Sequence, residues 1–229
     1  MPHAFLEASP GLGVPPGTPE TEETMTKETT AAMPKTTNVR YIAVTGILAA
    51  SAYVLQLIEF PIPMLMPSFI KFDFSDLPAL LAAFALGPLS GVLVELIKNV
   101  LHAMVSQSFG VGEISNFMLG AVVAAPAGFI YKRKKTKKNA IAAAVIGAAA
   151  MALISLPSNY FIVYPVYYNF MPEEVILAAY QAILPSMKSI FQSLVCFNLP
   201  FTFIKGMLCV LVTFFIYKPL SPILKGYRD

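Results

Sequence analysis

From residue 39 onward the chain is a succession of long apolar runs separated by shorter segments rich in charge, Pro or Gly. At about 1.5 Å of rise per residue and a hydrocarbon thickness of about 30 Å, runs of this length predict membrane helices. Six are predicted, over residues 39–60, 74–86, 89–106, 114–131, 140–163 and 201–217. The second is too short to span fully and stops at Gly87 and Pro88, a pair that ends a helix and reverses the chain. Residues 173–198 are apolar enough to suggest a further span, but Pro185 and Lys188 interrupt them. They are assigned to the external surface as a loop with one or two amphipathic helical turns.

Composition agrees with this pattern. Apolar residues make up 56% of the 229 positions and charged residues 13%, against about 25% charged in soluble domains. A mean hydropathy of +0.67 over this length excludes a soluble domain, because its surface must still be wetted. It also excludes a nucleic-acid-binding one. Residues 1–38 differ, with five Glu against two Lys, many Thr and Pro, and no apolar period; they are expected to be a disordered N-terminal tail, native or an added leader. The body is read as a six-helix membrane domain over 39–220, followed by a cytoplasmic C-terminal tail over 221–229. Positive residues collect at Arg40, at Lys132, Arg133, Lys134, Lys135, Lys137 and Lys138, and at Lys218, Lys225 and Arg228. With an even number of spans all three groups fall on the cytoplasmic side, together with both termini. The fold class expected is therefore an all-α, multi-pass integral membrane protein, a six-transmembrane-helix bundle with a short second helix.

Polar residues inside the spans gather toward the opposite, outer half, where ionisable groups face protein or water and not lipid. Glu59 ends the first helix; an irregular loop through Pro61, Pro63 and Pro67 leads to Lys71, Asp73, Ser75 and Asp76; the fourth helix opens with Gly110, Gly112, Glu113 and Asn116. Asn159 lies at the outer end of the fifth helix, and Thr202 and Lys205 open the sixth. Five segments meeting at one level make a small-molecule cavity. Asp73 has two readings, a helix N-cap or a ligand contact, and Asp76 suits the positive end of a helix dipole. Glu95, Lys98 and His102 share one helical face beside Asn99, as a structural hydrogen-bonded network would.

No P-loop, dinucleotide fingerprint or nucleophile elbow occurs in the body, so no catalytic residue and no cofactor is expected, and ATP hydrolysis would have to come from another protein. Cys196 and Cys209 have no metal-ligand spacing and are read as buried spectator thiols; no metal site is expected. On the first helix Gly46 and Ala50 stand four apart, a spacing that permits close helix approach. It serves internal packing or a docking face for a partner.

Several strings carry a resemblance: Phe60-Pro-Ile-Pro63, Phe72-Asp-Phe-Ser-Asp-Leu-Pro78, Gly87-Pro88, Lys98-Asn99, Gly112-Glu-Ile-Ser-Asn-Phe117, Asn159-Tyr-Phe161 and Pro200-Phe-Thr-Phe-Ile-Lys-Gly206. In order, across most of residues 39–220, the chain resembles the riboflavin-specific substrate-binding subunits (S components) of bacterial energy-coupling factor transporters. The resemblance implies a six-helix plasma-membrane protein with riboflavin as transported ligand, docking on a transmembrane coupling protein and two cytoplasmic ATPases. It places the pocket motifs on Gly112 and Glu113, on Asn159, and on Thr202 and Lys205, with Thr202 where such subunits usually have Asn. A hydroxyl there replaces a carboxamide with both donor and acceptor.

Riboflavin offers an apolar dimethylbenzene end, an edge of alternating donors and acceptors, and a neutral ribityl chain. Asn159 and Lys205 suit the edge, and Phe69, Phe72, Tyr160 and Tyr164 the ring face. The inner half of the spans has few polar residues, which favours movement of the whole body over a channel through it, and assigns Gly46 and Ala50 to docking. An S component for another vitamin, a stand-alone vitamin permease and a membrane enzyme are the competing readings.

Overall fold

The computed structural model describes residues 35–106, 110–134 and 136–225; Met1 to Pro34 of the expected tail, Lys135 of the basic cluster and residues 226–229 lie outside these. The described residues contain seven helical runs. The first, α1 (Lys35–Leu57), begins earlier than the predicted 39 and stops short of 60, because two turn hydrogen bonds, Ile58 to Leu55 and Glu59 to Gln56, release the chain before the Pro-rich loop. That loop is pinched at its base by two short strands, β1 (Phe60–Pro61) and β2 (Lys71–Phe72), antiparallel with Phe60 opposite Phe72.

Helix α2 (Asp76–Ala85) is as short as predicted and almost entirely buried. At about 1.5 Å per residue it covers roughly 15 Å, half a hydrocarbon core. The reversal into α3 (Pro88–Ala103) uses Gly87 at φ 114°, a conformation that excludes a side chain, with Pro88 in the first turn where its missing N–H costs nothing. α2 and α3 then run so close that a Cβ on Gly91 would stand 2.8 Å from the Ala83 methyl and 2.9 Å from the Ala79 carbonyl. Helix α4 (Val111–Arg133) follows. Thr136 caps α5 (Lys137–Ser158) by accepting from the Asn139 amide; the helix continues through a π turn (Asn159–Val163) and a last α turn (Tyr164–Tyr167).

The predicted surface segment 173–198 is in fact two things. Helix α6 (Glu173–Gln181) lies across one end of the bundle, burying Ile176 and Tyr180. The last helix, α7, then begins at Ile190 rather than at 201, running as Ile190–Ser193, a π turn (Leu194–Asn198) and Leu199–Lys225. Pro200 concealed this start. Its ring would strike the carbonyl four residues back in a regular α-helix, but the π turn widens the backbone there, with Leu199 N–H reaching Leu194 O. The other π turn likewise precedes a Tyr164-Pro165 pair. At the far end α7 continues through Pro219 and Pro222 into the predicted tail, where Arg40 donates to the Ile223 carbonyl at 2.7 Å.

Among the described residues four helices are long and apolar enough to cross a membrane: Val39–Leu57, Val111–Arg133, Lys138–Tyr167 and Ile190–Leu224. α4 packs on α3 and α5, and α7 on α5 and α2, so α2 is enclosed by α3, α4 and α7. Away from α6 the interior is apolar and aromatic: Leu80, Phe84, Val123, Tyr131 and Met151 pack with Phe214 and Tyr217. The outward faces carry exposed Ile42, Ile47, Leu153, Phe161 and Phe215, side chains suited to lipid.

Candidate functional site

A cavity of about 800 Å³ opens at the α6 end, between α1, the β1–β2 loop, α4, α5 and α7. This is within the roughly 300–1,000 Å³ range of small-molecule sites. All seven residues selected from sequence line it: Asp73, Gly112, Glu113, Asn116, Asn159, Thr202 and Lys205. Asp73, Glu113, Asn159, Thr202 and Lys205 are buried, and Gly112 and Asn116 half-buried.

The charges around the cavity come in pairs. Lys205 on α7 meets Asp73 at 2.9 Å. Glu113, in the first turn of α4, accepts from Ser106 Oγ at 2.8 Å and meets His102 Nδ1 at 2.8 Å. Glu59 pairs with Lys71 across the base of the Pro-rich loop. Burial opposes charge on Asp73, but the Lys205 and Lys98 ammonium groups outweigh it and hold the carboxyl well below the usual carboxylate range. Asp73 is thus not the N-cap of α2. That position belongs to Ser75, whose side chain makes no cap hydrogen bond, while Asp73 Oδ1 accepts from the Ser75 amide at 2.8 Å.

Behind this wall the face of α3 forms a second layer. Lys98, fully buried, donates to Asp76 Oδ1 at 2.6 Å and to Ser75 Oγ at 2.7 Å, and stands 2.8 Å from Glu95. Asp76 also lies 3.6 Å from Lys205, so five ionisable groups are continuous from the cavity to α3. The Glu95 carboxylate occupies the space over Gly120, where a Cβ would stand 2.1 Å from its Oε2. The structural network expected for Glu95 and Lys98 is therefore present, whereas His102 turns to the cavity and Glu113.

Gln56 and Asn198 are among the cavity residues that were not selected from sequence. Gln56 donates to Asn99 Oδ1 at 3.1 Å, and Asn99 donates to the Glu95 carbonyl at 2.8 Å. Asn198 ends one π turn as Asn159 begins the other; π turns recur at functional sites, and a proline soon after an apolar run was the available signal. Tyr180 of α6 donates to Asn198 Oδ1 at 2.6 Å and is hydrogen-bonded to Tyr164, whose oxygen lies 3.4 Å from Asn198 Nδ2. Burial pushes the Tyr180 hydroxyl far above the usual phenol range, so it remains a donor.

Of the four aromatic residues expected on a ring face, Phe69 and Tyr164 line the cavity. Phe72 instead packs among Phe60, Phe74 and Phe201. Tyr160 points outward, 40% exposed, against Phe161 and Phe191. Gly46 and Ala50 are on the exposed side of α1, and a Cβ on Gly46 would meet nothing within 4 Å. Cys209 is buried but Cys196 is exposed, correcting the reading of two buried thiols. Among the described residues no group of three His, Cys, Asp or Glu is placed to hold a metal.

Comparison with known proteins places this architecture. The family model described as ECF transporter, substrate-specific component, matches residues 40–217. The protein named riboflavin transporter FmnP of Bacillus subtilis (strain 168) is 33% identical over 194 residues, covering 83% of this chain and 97% of that one. The riboflavin transporter RibU of Staphylococcus aureus (strain TCH60) is 36% identical over 188 residues, covering 82% and 93%. A solved structure described as the S component of a bacterial ECF transporter superposes with a TM-score of 0.65 at 33% identity, over 83% of this chain and 99% of that one.

Proposed function

The chain belongs to the substrate-specific components of energy-coupling factor (ECF) transporters, and from that premise we propose that it captures riboflavin outside a bacterial cell and delivers it to the cytoplasm with an ATP-driven coupling module. The family is one of transporters and not of enzymes, and the flavin is cargo rather than a resident cofactor. The observation that carries the ligand assignment is the charge pairing of the cavity. Each acid and lysine lining it, Glu59, Lys71, Asp73, Glu113 and Lys205, has an oppositely charged or His partner. A cavity whose two lysines are each already paired with an acid suits a neutral polar ligand over an anionic one, because an anion needs a counter-charge it does not share. Asn116, Asn159 and Asn198 supply donors and acceptors for the ring edge, and Phe69 and Tyr164 offer flat apolar surface for the ring. The names of the two bacterial relatives support the same cargo.

In this reading α2 and α3, too short or too polar to qualify as full spans, complete a six-span, multi-pass body in the plasma membrane. Lys132, Arg133, Lys134 and Lys138 flank the turn between α4 and α5, Arg40 lies in the second turn of α1 and Lys218 within about the last two turns of α7, and by their charge we assign that end, with both termini, to the cytoplasm. The cavity then faces outward. Between it and the cytoplasm lies the apolar and aromatic packing around Phe84, Tyr131 and Tyr217, which favours movement of the body over passage through it. The exposed Gly46 and Ala50 of α1 are the docking positions for the transmembrane coupling protein, with two cytoplasmic ATPases completing the module.

The test is uptake of radiolabelled riboflavin into vesicles. The protein alone should bind flavin without accumulating it, and accumulation should require the coupling module and ATP. Accumulation by the protein alone would establish a permease instead.

A further inference from the structure

Asn198 was invisible to the sequence reading, yet it sits in the cavity wall with its side chain held on two sides. Tyr180 O–H donates to Asn198 Oδ1. The Tyr180 oxygen then takes the Tyr164 hydroxyl proton, since its own proton is committed, and the Tyr164 oxygen faces Asn198 Nδ2. Tyr164 O–H to Tyr180, Tyr180 O–H to Asn198 C=O and Asn198 N–H to Tyr164 form a closed ring of three hydrogen bonds. Each hydroxyl donates once and accepts once. In such a cycle the bonds polarise one another in the same sense.

The ring decides which end of the amide is which. The short contact is the hydroxyl-to-carbonyl one, 2.6 Å, and the long one is N–H to oxygen, 3.4 Å, the order expected for O–H and N–H donors. It also leaves Asn198 with one N–H and one oxygen lone pair beyond the ring. Asn198 is 6% exposed and lines the cavity, so what remains accessible of it faces the cavity. A donor beside an acceptor is the complement of an imide edge, where a carbonyl flanks an N–H. Thr202, four residues on, lines the same cavity with only a hydroxyl.

Resting on the riboflavin reading above, we infer that Asn198 is a ligand-recognising carboxamide that donates to a ring carbonyl of the flavin, and that Tyr180 on α6 is its positioning residue. Tyr180 belongs to a helix that supplies no cavity-lining side chain, and it reaches the site only through Asn198 and Tyr164. Its contribution is to fix the amide so that the donor faces the ligand, without loss of rotational freedom on binding. The outermost helix thereby sets affinity through one hydroxyl.

The experiment is a riboflavin titration with Asn198→Asp, Asn198→Leu and Tyr180→Phe, read by quenching of flavin fluorescence, with the vibrational spectrum of the bound flavin carbonyls and the unfolding temperature of each ligand-free protein. Asn198→Asp keeps the shape and the Tyr180 bond but removes the donor, so it remains informative if Asn198→Leu fails to fold. Expected are a loss of about tenfold or more in affinity for the Asn198 variants and a smaller loss for Tyr180→Phe, as befits one hydrogen bond removed or misaligned. In all three that fold, the carbonyl band should shift to higher frequency. Affinity within twofold of the parent for both Asn198→Asp and Tyr180→Phe overturns the inference, and so does weakened binding with the carbonyl band unmoved, which marks a packing effect only. Failure of the unsubstituted protein to bind riboflavin would instead remove the reading on which the inference rests.

Discussion

The two ends of this bundle are built by opposite rules. At the α6 end the backbone departs from regular helix at two π turns, acids and bases pair across segments far apart in sequence, and carboxamides face a cavity. At the other end Phe84, Tyr131 and Tyr217 pack edge to face with Phe214 stacked on Phe84, and the polar links include Tyr217 to the Phe84 carbonyl and Arg40 to the Ile223 carbonyl. A ligand held at the first end meets no comparable polar surface at the second. The contrast supports the proposal that recognition and translocation are separated, the subunit doing the first and a partner that moves it being needed for the second.

The comparison breaks most severely at the layer joining the two ends. Lys98→Met leaves Asp76 and Glu95 buried without their shared cation, and should cost about 3–5 kcal/mol of stability, seen as a large fall in the unfolding temperature of the detergent-solubilised protein. Glu95→Gln, which keeps the volume above Gly120 and leaves Lys98 with Asp76, should cost far less. Equal losses would mean that the Glu95 carboxylate holds this layer as much as the Lys98 and Asp76 pair does. Gly46→Leu with Ala50→Leu should abolish uptake by the reconstituted complex while flavin binding to the isolated subunit survives, since neither residue lines the cavity. Loss of binding in that variant would show the face to pack internally.

Smaller effects sharpen the picture at the cavity. Asn159→Ala should weaken riboflavin binding by roughly 1–3 kcal/mol, the range for a ligand polar group left unpaired, measured by equilibrium titration. Lys205→Ala should weaken it too, and further destabilise the fold because Asp73 loses its ion partner; a variant that binds normally would put recognition elsewhere. Thr202→Asn should hold or tighten binding by less than about 1.5 kcal/mol, the scale of one hydrogen bond.

Much of the wall was legible in the sequence, for a physical reason. Polar residues in membrane helices are costly, so Asp73, Glu113, Asn159 and Lys205 mark a site by their mere presence. Their partnerships were not legible. Asp73 and Lys205 are 132 residues apart, and nothing local announces that one neutralises the other, so Asp73 read more readily as a helix cap than as a ligand contact. Glu95 and Lys98 at i, i+3 were within reach of periodicity, but Asp76 as the third member was not. The start of α7 was lost because Pro200 is ordinarily a helix terminator, and only a π turn, which has no sequence period of its own, reconciles it with a continuous helix. Asn198 went with it. Gly46 and Ala50 were visible as a spacing, whereas their exposure depended on which face of α1 the bundle covers.

The central claim is that this cavity, with its charges already paired, recognises a neutral flavin. Parallel titrations of the purified protein with riboflavin and with its phosphate, read by quenching of flavin fluorescence, test it most directly. The account predicts saturable binding of riboflavin and weaker binding of the phosphate, whose dianion finds no unpaired cation among Lys71 and Lys205. Tighter binding of the phosphate, or no binding of riboflavin, would contradict it.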